Sequence, residues 1–306
     1  MEAISSFILD FIREHVPKED ILLNEPMSGH TTFRAGGEAA CLIRISSAKQ
    51  LAALLPYLKE KEVPCFVLGN GSNLLVGDKG YCGVMLQIGS KMNTVTVEGN
   101  CIRAGAGALL PRVAACALEN GLTGLEFASG IPGSVGGGIV MNAGAYGGEM
   151  KQVVGQVTVM DEHGEITVIE NKAMEFGYRT SIIKHKPLTV LEAVFSLRPG
   201  NKREIRAQME ELAGRRKSKQ PLEYASAGST FKRPEGFFAG KLIMEAGLGG
   251  YCVGDARVSE KHCGFVVNTG NARAADILAV IREVQRKVKE DTGIMLETEV
   301  ILLGDF

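Results

Sequence analysis

The chain has 306 residues, of which 45% are hydrophobic and 23% are charged, and its formal net charge is −1. This length exceeds what a single hydrophobic core usually serves, so two or three subdomains are expected. The near-neutral charge gives no electrostatic basis for binding nucleic acid or an acidic membrane, and no apolar run is long enough to span a bilayer.

The cysteines, histidines and N-terminus bear on compartment and metal binding. Seven cysteines are scattered singly with no Cys-x-x-Cys pair, which argues against a disulfide framework and a structural zinc site. The five histidines are spread too widely to indicate a metal site. The N-terminus lacks a basic region before an apolar stretch. We therefore expect a cytoplasmic protein with no bound metal and with most of its cysteines in the core.

The first part of the chain predicts a β-α-β unit. Apolar residues at helical spacing predict an amphipathic helix over residues 2–15. Strands over 39–45 and 65–68 enclose a helix over 47–62, which opens with a capping-box pattern. The second of these strands runs directly into the first glycine loop, Gly-Asn-Gly-Ser-Asn at 69–73.

The rest of the chain mixes strands and helices without a regular repeat. A turn over 161–164 predicts a hairpin, and residues 199–201 predict a linker. This irregular order indicates an α+β protein with mixed sheets. Strands are expected over 83–88, 94–98, 101–104, 155–160, 165–169, 188–197, 251–253, 265–267 and 294–303, and helices over 109–120, 202–219, 237–246 and 273–291.

Residues 130–148, the glycine segment, are dense in glycine and almost free of charge. Glycine adopts positive φ and has no side chain, so backbone N–H groups can approach a ligand closely. Concave arrays of such N–H groups bind anions, phosphates above all. Neither the first glycine loop nor the glycine segment matches the usual phosphate-binding motifs. Two nonstandard loops of this kind suggest a dinucleotide held in an uncommon fold.

Two polar segments could carry chemistry, and each has an ordinary alternative. Ser229 stands between a glycine and a threonine, where it could be a nucleophile, a proton donor or a turn residue; no histidine has a recognisable hydrolase context. Arg179 follows a glycine and a tyrosine, where it could clamp a carboxylate or phosphate bidentately or be an exposed cation. The residues alone leave both choices open.

The last predicted strand contains two glutamates. Period-2 alternation over 294–303 places Glu297 and Glu299 on one face among apolar residues. Burial there would raise the pKa of a carboxyl group, whereas a nearby cation would lower that pKa. The alternative is that this face is a sheet edge lying in solvent.

Seven segments, in order along the chain, carry a resemblance to a known family. The ordered set, which runs from about residue 24 to the C-terminus, resembles bacterial UDP-N-acetylenolpyruvoylglucosamine reductases, although each segment is weak by itself. The segments are Thr31–Gly37 (TTFRAGG), Leu68–Leu75 (LGNGSNLL), Gly130–Gly137 (GIPGSVGG), Asn142–Gly147 (NAGAYG), Gly177–Ser181 (GYRTS), Ala227–Phe231 (AGSTF) and Leu296–Glu299 (LETE).

The resemblance implies an α+β fold with an FAD-binding domain of the vanillyl-alcohol-oxidase (PCMH) type and a C-terminal α+β substrate-binding domain. It implies one FAD-binding subdomain over 1–82, joined by the last strand at 294–306, a second over 83–199, and the substrate-binding domain over 200–293. Non-covalent FAD is expected to lie with its pyrophosphate along the two glycine-rich stretches. The implied contacts are Gly69, Asn70, Gly71, Ser72, Asn73, Gly130, Pro132, Gly133, Ser134, Gly137, Asn142, Gly144 and Ala145.

The resemblance also implies a reaction, in which NADPH reduces the enolpyruvyl ether of UDP-N-acetylglucosamine to UDP-N-acetylmuramate in peptidoglycan precursor synthesis. The matching positions make Ser229 the proton donor, Arg179 the cation that binds the substrate carboxylate, and Glu299 the catalytic glutamate, which must be protonated for its role. An FAD-dependent oxidoreductase or oxidase of the same fold is the alternative, and a non-catalytic nucleotide-binding module is a third possibility.

The chain departs from parts of the family pattern. The stretch between Arg179 and Arg198 is too short for the tyrosine-bearing insertion of some members, which implies the shorter subtype. Arg233 stands where many members have asparagine. The implied partners are the UDP-sugar and NADPH, with no nucleic acid or membrane, and the chain is expected to be a monomer or a weak oligomer. Substrate contacts are expected from Tyr178, Arg179, Lys217, Ser229 and Arg233.

Overall fold

The computed structural model describes residues 4–306. None of the helices in this part of the chain combines the length and apolar character that a membrane crossing requires. Its helices are α1 (Ser6–His15), α2 (Ala48–Glu60), α3 (Leu110–Glu119), α4 (Val135–Val140), α5 (Lys202–Lys219), α6 (Ala239–Glu245) and α7 (Ala274–Thr292).

The described chain also contains eighteen strands, most of them short. They are β1 (Ile21–Pro26), β2 (Glu38–Ile45), β3 (Cys65–Leu68), β4 (Leu74–Val76), β5 (Tyr81–Ile88), β6 (Val95–Glu98), β7 (Cys101–Gly105), β8 (Leu122–Thr123), β9 (Gly144–Ala145), β10 (Gly148–Glu149), β11 (Val154–Asp161), β12 (Ile166–Glu170), β13 (Leu188–Ser196), β14 (Arg198–Pro199), β15 (Cys252–Val253), β16 (Ala256–Val258), β17 (Val266–Asn268) and β18 (Ile301–Leu303).

A four-stranded sheet in the order β1-β2-β5-β3 forms the first subdomain. Strands β2, β5 and β3 are parallel and β1 pairs antiparallel with β2, so β5 separates the two strands of the predicted β-α-β unit. Helix α2 begins after Ser47, whose side chain accepts a hydrogen bond from the amide of Gln50. Helix α1 begins after Ser5, so its start differs from the predicted one, and residues 2 and 3 lie outside the described part.

A five-stranded antiparallel sheet in the order β12-β11-β13-β7-β6 forms the second subdomain. The predicted hairpin turn between β11 and β12 is confirmed. Asp161 Oδ1 accepts hydrogen bonds from the amides of His163 and Glu165 at 2.9 Å, and Gly164 adopts a φ of 84°. Both long strands β11 and β13 therefore lie where their apolar patterns predict.

The first two sheets share one hydrophobic core, whereas the C-terminal region has its own. The shared core runs from α1 and α2 to β13. The second core surrounds α7 and β15-β16-β17 and includes Phe33, Ala35 and Leu75 from the first subdomain. In addition, the Asp78 carboxylate accepts 2.8 Å hydrogen bonds from the first two amides of α7. The C-terminal region is thus packed tightly onto the first subdomain.

The sheet topology bears on the expected subdomain boundaries. A boundary between residues 82 and 83 would divide β5, the strand between β2 and β3, so the topology favours a boundary after Ile88. Helix α5, expected to open the substrate-binding domain, packs against α3 and the 3₁₀ turn Glu126–Gly130 of the second subdomain. This packing favours a boundary between the second subdomain and the substrate-binding domain that lies after α5.

Three expectations from the sequence differ from the structure. Residues 294–300 are not a strand; only Ile301–Leu303 pairs, in parallel with β4, although the predicted return to the first subdomain is confirmed. The glycine segment contains the short helix α4, which was not expected because it holds three glycines. Only two of the seven cysteines, Cys41 and Cys263, are buried.

Candidate active site

The first glycine loop packs directly against the start of the glycine segment. Asn70 Nδ2 donates a 2.6 Å hydrogen bond to the carbonyl of Pro132. A Cβ on Gly69 would lie 2.5 Å from Ser134 Oγ, and one on Gly71 would lie 2.0 Å from the carbonyl oxygen of His30. Because Gly69 and Gly71 have no side chain, the first glycine loop can contact both the glycine segment and residue 30. Together they form one continuous surface.

This surface carries backbone donors with no acceptor. The amides of Asn70, Gly71, Ser72 and Gly133 donate no hydrogen bond to any group within residues 4–306. A cavity of about 520 Å³ borders the surface and is lined in part by Asn70 and Pro132. Gly71 and Gly133 are buried, and buried amides normally find acceptors. A group of free donors beside a cavity therefore fits an anionic ligand such as a pyrophosphate.

Other residues expected to contact the cofactor have structural partners. Asn142 is almost fully buried; its amide group donates to Glu149 Oε2 and to the carbonyl of Gly177, both at 3.0 Å, and accepts from the amide of Lys151. Ser134 caps α4 through the amide of Gly137. Gly144 and Ala145 form β9, which pairs with β10. These residues shape the glycine segment around the free donors.

Arg179 is held in an unusual backbone conformation. It lies in a tight turn closed by hydrogen bonds in both directions between Gly177 and Thr180, at 3.1 and 3.3 Å. Its φ is 55°, in the left-handed region where a side chain costs about 1–3 kcal/mol. The Asn142 bond to Gly177 fixes this turn beside the glycine segment. Such strain is retained where the side chain is needed, which makes Arg179 a strong candidate for function.

The Arg179 guanidinium meets the Glu299 carboxylate. Arg179 Nε lies 2.7 Å from Glu299 Oε1, and the two side chains are only 22% and 12% exposed. The Nε–H does not point at the carboxylate and has no directed hydrogen bond. The Glu299 oxygen therefore occupies the space beside Nε, and the two terminal NH2 groups of Arg179 make no hydrogen bond or ion pair within the described residues.

Backbone hydrogen bonds bring Ser229 and Glu299 together. The amide of Glu299 donates to the carbonyl of Thr230 at 2.8 Å, and the amide of Lys232 donates to the carbonyl of Glu297 at 2.8 Å. On the other side, Asn73 Nδ2 donates to the carbonyl of Glu299 at 2.9 Å. The first glycine loop, the Ser229 loop and the Glu299 segment thus converge on one place, next to Arg179.

The two glutamates of the predicted strand have opposite environments, which corrects the expectation that they share a face. Glu297 is exposed and lies 2.9 Å from Lys232 Nζ, and this hydrogen bond lowers the pKa of its carboxyl group. Burial raises the pKa of Glu299, against the opposing effects of Arg179, Lys184 and Lys232. Residues 294–300 run alongside the Ser229 loop and are not hydrogen-bonded into a β-sheet. Side chains in this stretch therefore need not point alternately to opposite faces.

The sequence did not single out two cations near Glu299. Lys232 follows the Ser229 loop, and Lys184 Nζ donates to the carbonyl of Arg179 at 3.4 Å. Burial and the charge of Lys232 lower the pKa of Lys184, and the Glu299 carboxylate opposes them. Lys184 comes five residues after Arg179 in a 3₁₀ turn, a position that carries no motif of its own. The group around Glu299 is therefore more cationic than the sequence indicated.

Tyr178 and Arg233, both expected to contact the substrate, lie together at the rim. The amide of Arg233 donates to the Tyr178 hydroxyl at 2.9 Å. The Arg233 guanidinium carbon lies 4.0 Å from the centroid of the Phe238 ring, a cation–π arrangement. Both Tyr178 and Phe238 are more than half exposed. This rim joins the second subdomain to the C-terminal domain.

Lys217 lies apart from these groups. It is exposed in the last turn of α5 and makes no ion pair within the described residues. The basic residue of this turn that contacts the glycine segment is Arg216, whose Nη1 would lie 2.8 Å from a Cβ on Gly130. Tyr224, which follows α5 in the chain, lines the cavity. No cluster of three or more metal-ligating side chains occurs in residues 4–306.

Comparison with known proteins identifies relatives of the whole chain. Residues 39–170 match the FAD binding domain family, and residues 220–303 match the UDP-N-acetylenolpyruvoylglucosamine reductase C-terminal domain family. A UDP-N-acetylenolpyruvoylglucosamine reductase of Caldanaerobacter subterraneus subsp. tengcongensis is 51% identical over 302 residues, which cover 99% of this chain and 100% of the relative. The corresponding protein of Agathobacter rectalis is 52% identical and covers 96% and 98% of the two chains.

Solved structures agree with these matches. The UDP-N-acetylenolpyruvylglucosamine reductase of Thermus caldophilus superposes with a TM-score of 0.79 at 38% identity, over 92% of this chain and 98% of that chain. Phl p 4.0202, a glucose dehydrogenase, gives a TM-score of 0.51 at 15% identity over 64% and 45% of the two chains, which shows a shared fold alone. The expected fold class, an α+β FAD-binding domain followed by a C-terminal α+β domain, is confirmed. The chain belongs to the UDP-N-acetylenolpyruvoylglucosamine reductase family.

Proposed function

We propose that this protein reduces the enolpyruvyl ether of UDP-N-acetylglucosamine to the lactyl ether of UDP-N-acetylmuramate, with NADPH as reductant and FAD as cofactor, in peptidoglycan precursor synthesis. The nearly full-length identity to reductases of this name supports the reaction. The convergence of Arg179, Ser229 and Glu299 beside the two glycine-rich stretches is the structural observation that carries it.

The residues of the two stretches fit an FAD pyrophosphate. These residues would hold a non-covalent FAD, which would supply hydride transfer from NADPH to the enolpyruvyl β-carbon. The free amides of Asn70, Gly71, Ser72 and Gly133 are suited to the pyrophosphate oxygens. The remaining proposed cofactor residues hold these donors in place or border them; they are Gly69, Asn73, Gly130, Pro132, Ser134, Gly137, Asn142, Gly144 and Ala145.

Arg179 is proposed to bind the substrate carboxylate. Hydride addition at the β-carbon leaves an electron pair on the α-carbon that delocalises into this carboxylate, so negative charge grows there during the reaction. A guanidinium fixed in a strained turn is pre-organised for that charge. Its terminal NH2 groups, which make no hydrogen bond or ion pair within the described residues, are donors available to the substrate carboxylate.

Ser229 and Glu299 are proposed to act on the same intermediate. The Ser229 hydroxyl is half-buried and donates to no group in the described chain, so it is free to give its proton to the α-carbon. Glu299 in its protonated form is proposed to donate a hydrogen bond to the substrate carboxylate and hold the enolic state. The raised pKa of Glu299 supports that protonation state.

The outer part of the substrate is proposed to contact the rim and helix α5. Tyr178 and Arg233 are proposed to contact the UDP-sugar, because they form the rim above Arg179. Lys217 is proposed to reach the substrate diphosphate from α5, where it is exposed and unpaired within the described residues. We further propose a cytoplasmic protein that acts as a monomer or weak oligomer and binds neither nucleic acid nor membrane, in keeping with its net charge of −1.

We propose three structural parts, with boundaries adjusted to the topology. Within the described residues, the first FAD-binding subdomain spans 4–88 with the C-terminal strand, the second spans 89–219, and the substrate-binding domain spans 220–293. The position of β5 supports the first change from 1–82 and 83–199. The packing of α5 and the family match that begins at residue 220 support the second change from 200–293.

Substrate-dependent NADPH oxidation tests the function. The purified protein is expected to show the visible absorption of bound oxidised flavin and to oxidise NADPH only when UDP-N-acetylenolpyruvoylglucosamine is present. An FAD oxidase of the same fold would reoxidise rapidly with oxygen and would not require the UDP-sugar. A colourless protein that binds nucleotide without turnover would indicate a binding module. Either result would refute the proposal.

A further inference from the structure

The two glycine-rich stretches carry no cation of their own. Residues 69–73 read Gly-Asn-Gly-Ser-Asn and residues 130–134 read Gly-Ile-Pro-Gly-Ser, so neither contains lysine or arginine. Backbone amides offer partial positive charge to a pyrophosphate, but a doubly charged anion in a partly enclosed site also needs a full counter-charge. A cation from another segment can supply that charge. Arg216 already lies close to Gly130 in the second stretch, whereas the first glycine loop calls for a cation of its own.

Among the residues that line the adjoining cavity, Arg34 is the one that carries a long basic side chain, since the lining contains no other arginine and no lysine. It makes no ion pair or side-chain hydrogen bond within residues 4–306. The glutamate and the histidine of the cavity wall are already paired. Glu223 lies 3.6 Å from Lys261 Nζ, and His30 contacts Glu25 at 2.8 Å and Gln87 at 3.2 Å. The cavity thus has one free cation, on the same wall as Asn70 and Pro132.

The backbone of Arg34 is strained and firmly held. Its φ is 55°, like that of Arg179. Its amide donates to the carbonyl of Thr31 at 3.1 Å, while Thr31 Oγ1 donates to the carbonyl of Ala35 at 3.0 Å. The preceding Phe33 is fully buried, and its carbonyl accepts from Asn268 Nδ2 at 2.9 Å. Glycine would occupy this conformation without strain, so an arginine here indicates a use for its side chain.

Thr32 connects this turn to the first glycine loop and presents an unused hydroxyl. The amide of Thr32 donates to the carbonyl of Gly71 at 3.1 Å. Its Oγ1 is buried yet has no hydrogen-bond partner, and the residue lines the cavity. Buried hydroxyls without partners are rare in folded proteins and call for a ligand or water. The orphan hydroxyl and the free guanidinium therefore border the same space.

We propose that Arg34 and Thr32 complete the cofactor pyrophosphate site, with Arg34 as counter-charge and the Thr32 hydroxyl as hydrogen-bond donor. The inference rests on the proposed function for the identity of the cofactor. It assigns a role to the segment Thr31–Gly37, which the reaction itself leaves without one. The diphosphate of a UDP-sugar shares this chemistry, but the Thr32–Gly71 bond and the adjacent free amides favour the dinucleotide.

The test measures FAD affinity on protein stripped of its flavin and titrated with FAD, by quenching of flavin fluorescence. Arg34→Gln is expected to weaken FAD binding about tenfold to a hundredfold, the range for a lost charge-assisted hydrogen bond. Arg34→Lys should fall between wild type and Arg34→Gln, because it keeps the charge without the planar fork. Arg257→Gln is the matched control, since Arg257 is exposed on β16 and unpaired within residues 4–306.

Thr32→Val separates ligand binding from folding. Because the hydroxyl has no partner in the chain, this change should leave the stability of the flavin-free protein unchanged or raise it, while FAD affinity falls about threefold to tenfold. Arg34→Gly relieves the backbone strain and serves as a second variant should Arg34→Gln fold poorly. It too should fold at least as well as wild type and bind FAD more weakly.

Outcomes with two ligands distinguish the alternatives. The affinity of flavin-loaded protein for UDP should be the same in wild type and Arg34→Gln. The proposal is overturned if FAD affinity matches that of Arg257→Gln, or if UDP affinity falls while FAD affinity does not. If the wild-type protein binds no FAD at all, the proposed function is refuted. That result differs from the two results above, which refute only the role of Arg34 and Thr32.

Discussion

Gly71 lies where the first glycine loop approaches the backbone of His30 and Thr31 most closely, so a side chain at this position should perturb the cofactor surface. Its φ is 61°, and a Cβ there would lie 2.0 Å from the carbonyl oxygen of His30 and 3.0 Å from Thr31 Cα. Both neighbours are backbone atoms, which cannot rotate away as a flexible side chain can. Gly71→Ala must therefore displace either the first glycine loop or the segment that leads to Arg34.

Gly147 provides a matched control for this substitution. Its φ is 89°, but a Cβ there would meet no atom within 4 Å. Gly147→Ala should cost only the left-handed backbone penalty, about 1–2 kcal/mol. Gly71→Ala should cost that penalty plus overpacking of about 1–3 kcal/mol, and thus about 2–5 kcal/mol in total.

Chemical denaturation of the flavin-free variants measures both free energies of unfolding, and FAD titration follows on the same samples. We expect Gly71→Ala to be the less stable protein and to bind FAD more weakly, while Gly147→Ala keeps wild-type FAD affinity. Equal stability of the two variants would show that the close approach of residues 30 and 71 does not limit the loop, and the reasoning would then be wrong.

Three further predictions concern the reaction and the domain contact. Ser229→Ala should slow reduction of the UDP-sugar about a hundredfold to ten-thousandfold, with flavin reduction by NADPH nearly unchanged in rapid mixing; an equal loss in both steps would contradict its role. Because protonated Glu299 is the proposed active form and burial raises its pKa, kcat/KM should fall as pH rises through that pKa, above the range of an ordinary glutamate. Lys184→Gln removes a cation that lowers this pKa and should move the fall to higher pH, whereas an unchanged pH profile would exclude the assignment. Asp78→Ala should destabilise the protein by about 0.5–2 kcal/mol in denaturant unfolding, since it removes the acceptor for the first amides of α7; a neutral result would count against that contact.

Elements with a strong local signal could be predicted closely from the sequence. Helix α5 begins after Asn201, whose side chain accepts from the amide of Arg203, and it ends at Lys219 as expected. Strands β11 and β13 follow from long apolar runs and the turn at 161–164. In these segments, capping, turn chemistry and periodicity all act within a few residues, so they are visible without the rest of the fold.

The remaining features depend on contacts between distant segments. Helix α4 forms despite three glycines because Ser134 caps it and Val135 and Ile139 are buried against the shared core. The sequence of residues 294–300 has the alternating pattern of a strand, but in the structure this stretch does not alternate and its partners are the Ser229 loop and Asn73. Long-range packing of this kind overrides local propensity.

The candidate site was located by motif, but its electrostatics were not. Nothing in the local sequence indicates that Arg34 and Arg179 adopt positive φ, because that region is typical of glycine. The different environments of Glu297 and Glu299 also follow from their partners, Lys232 and Arg179, which are far away in the chain. Propensity and spacing therefore identify the residue types, and the tertiary contacts decide their charge states.

Anaerobic reduction and reoxidation of the bound flavin tests the central claim most directly. NADPH is added to the purified protein until the flavin absorption is bleached, and one equivalent of UDP-N-acetylenolpyruvoylglucosamine is then mixed in without oxygen. We expect full return of the oxidised flavin spectrum together with one equivalent of UDP-N-acetylmuramate. A reduced flavin that persists with this substrate, and is reoxidised only when oxygen is admitted, would contradict this expectation.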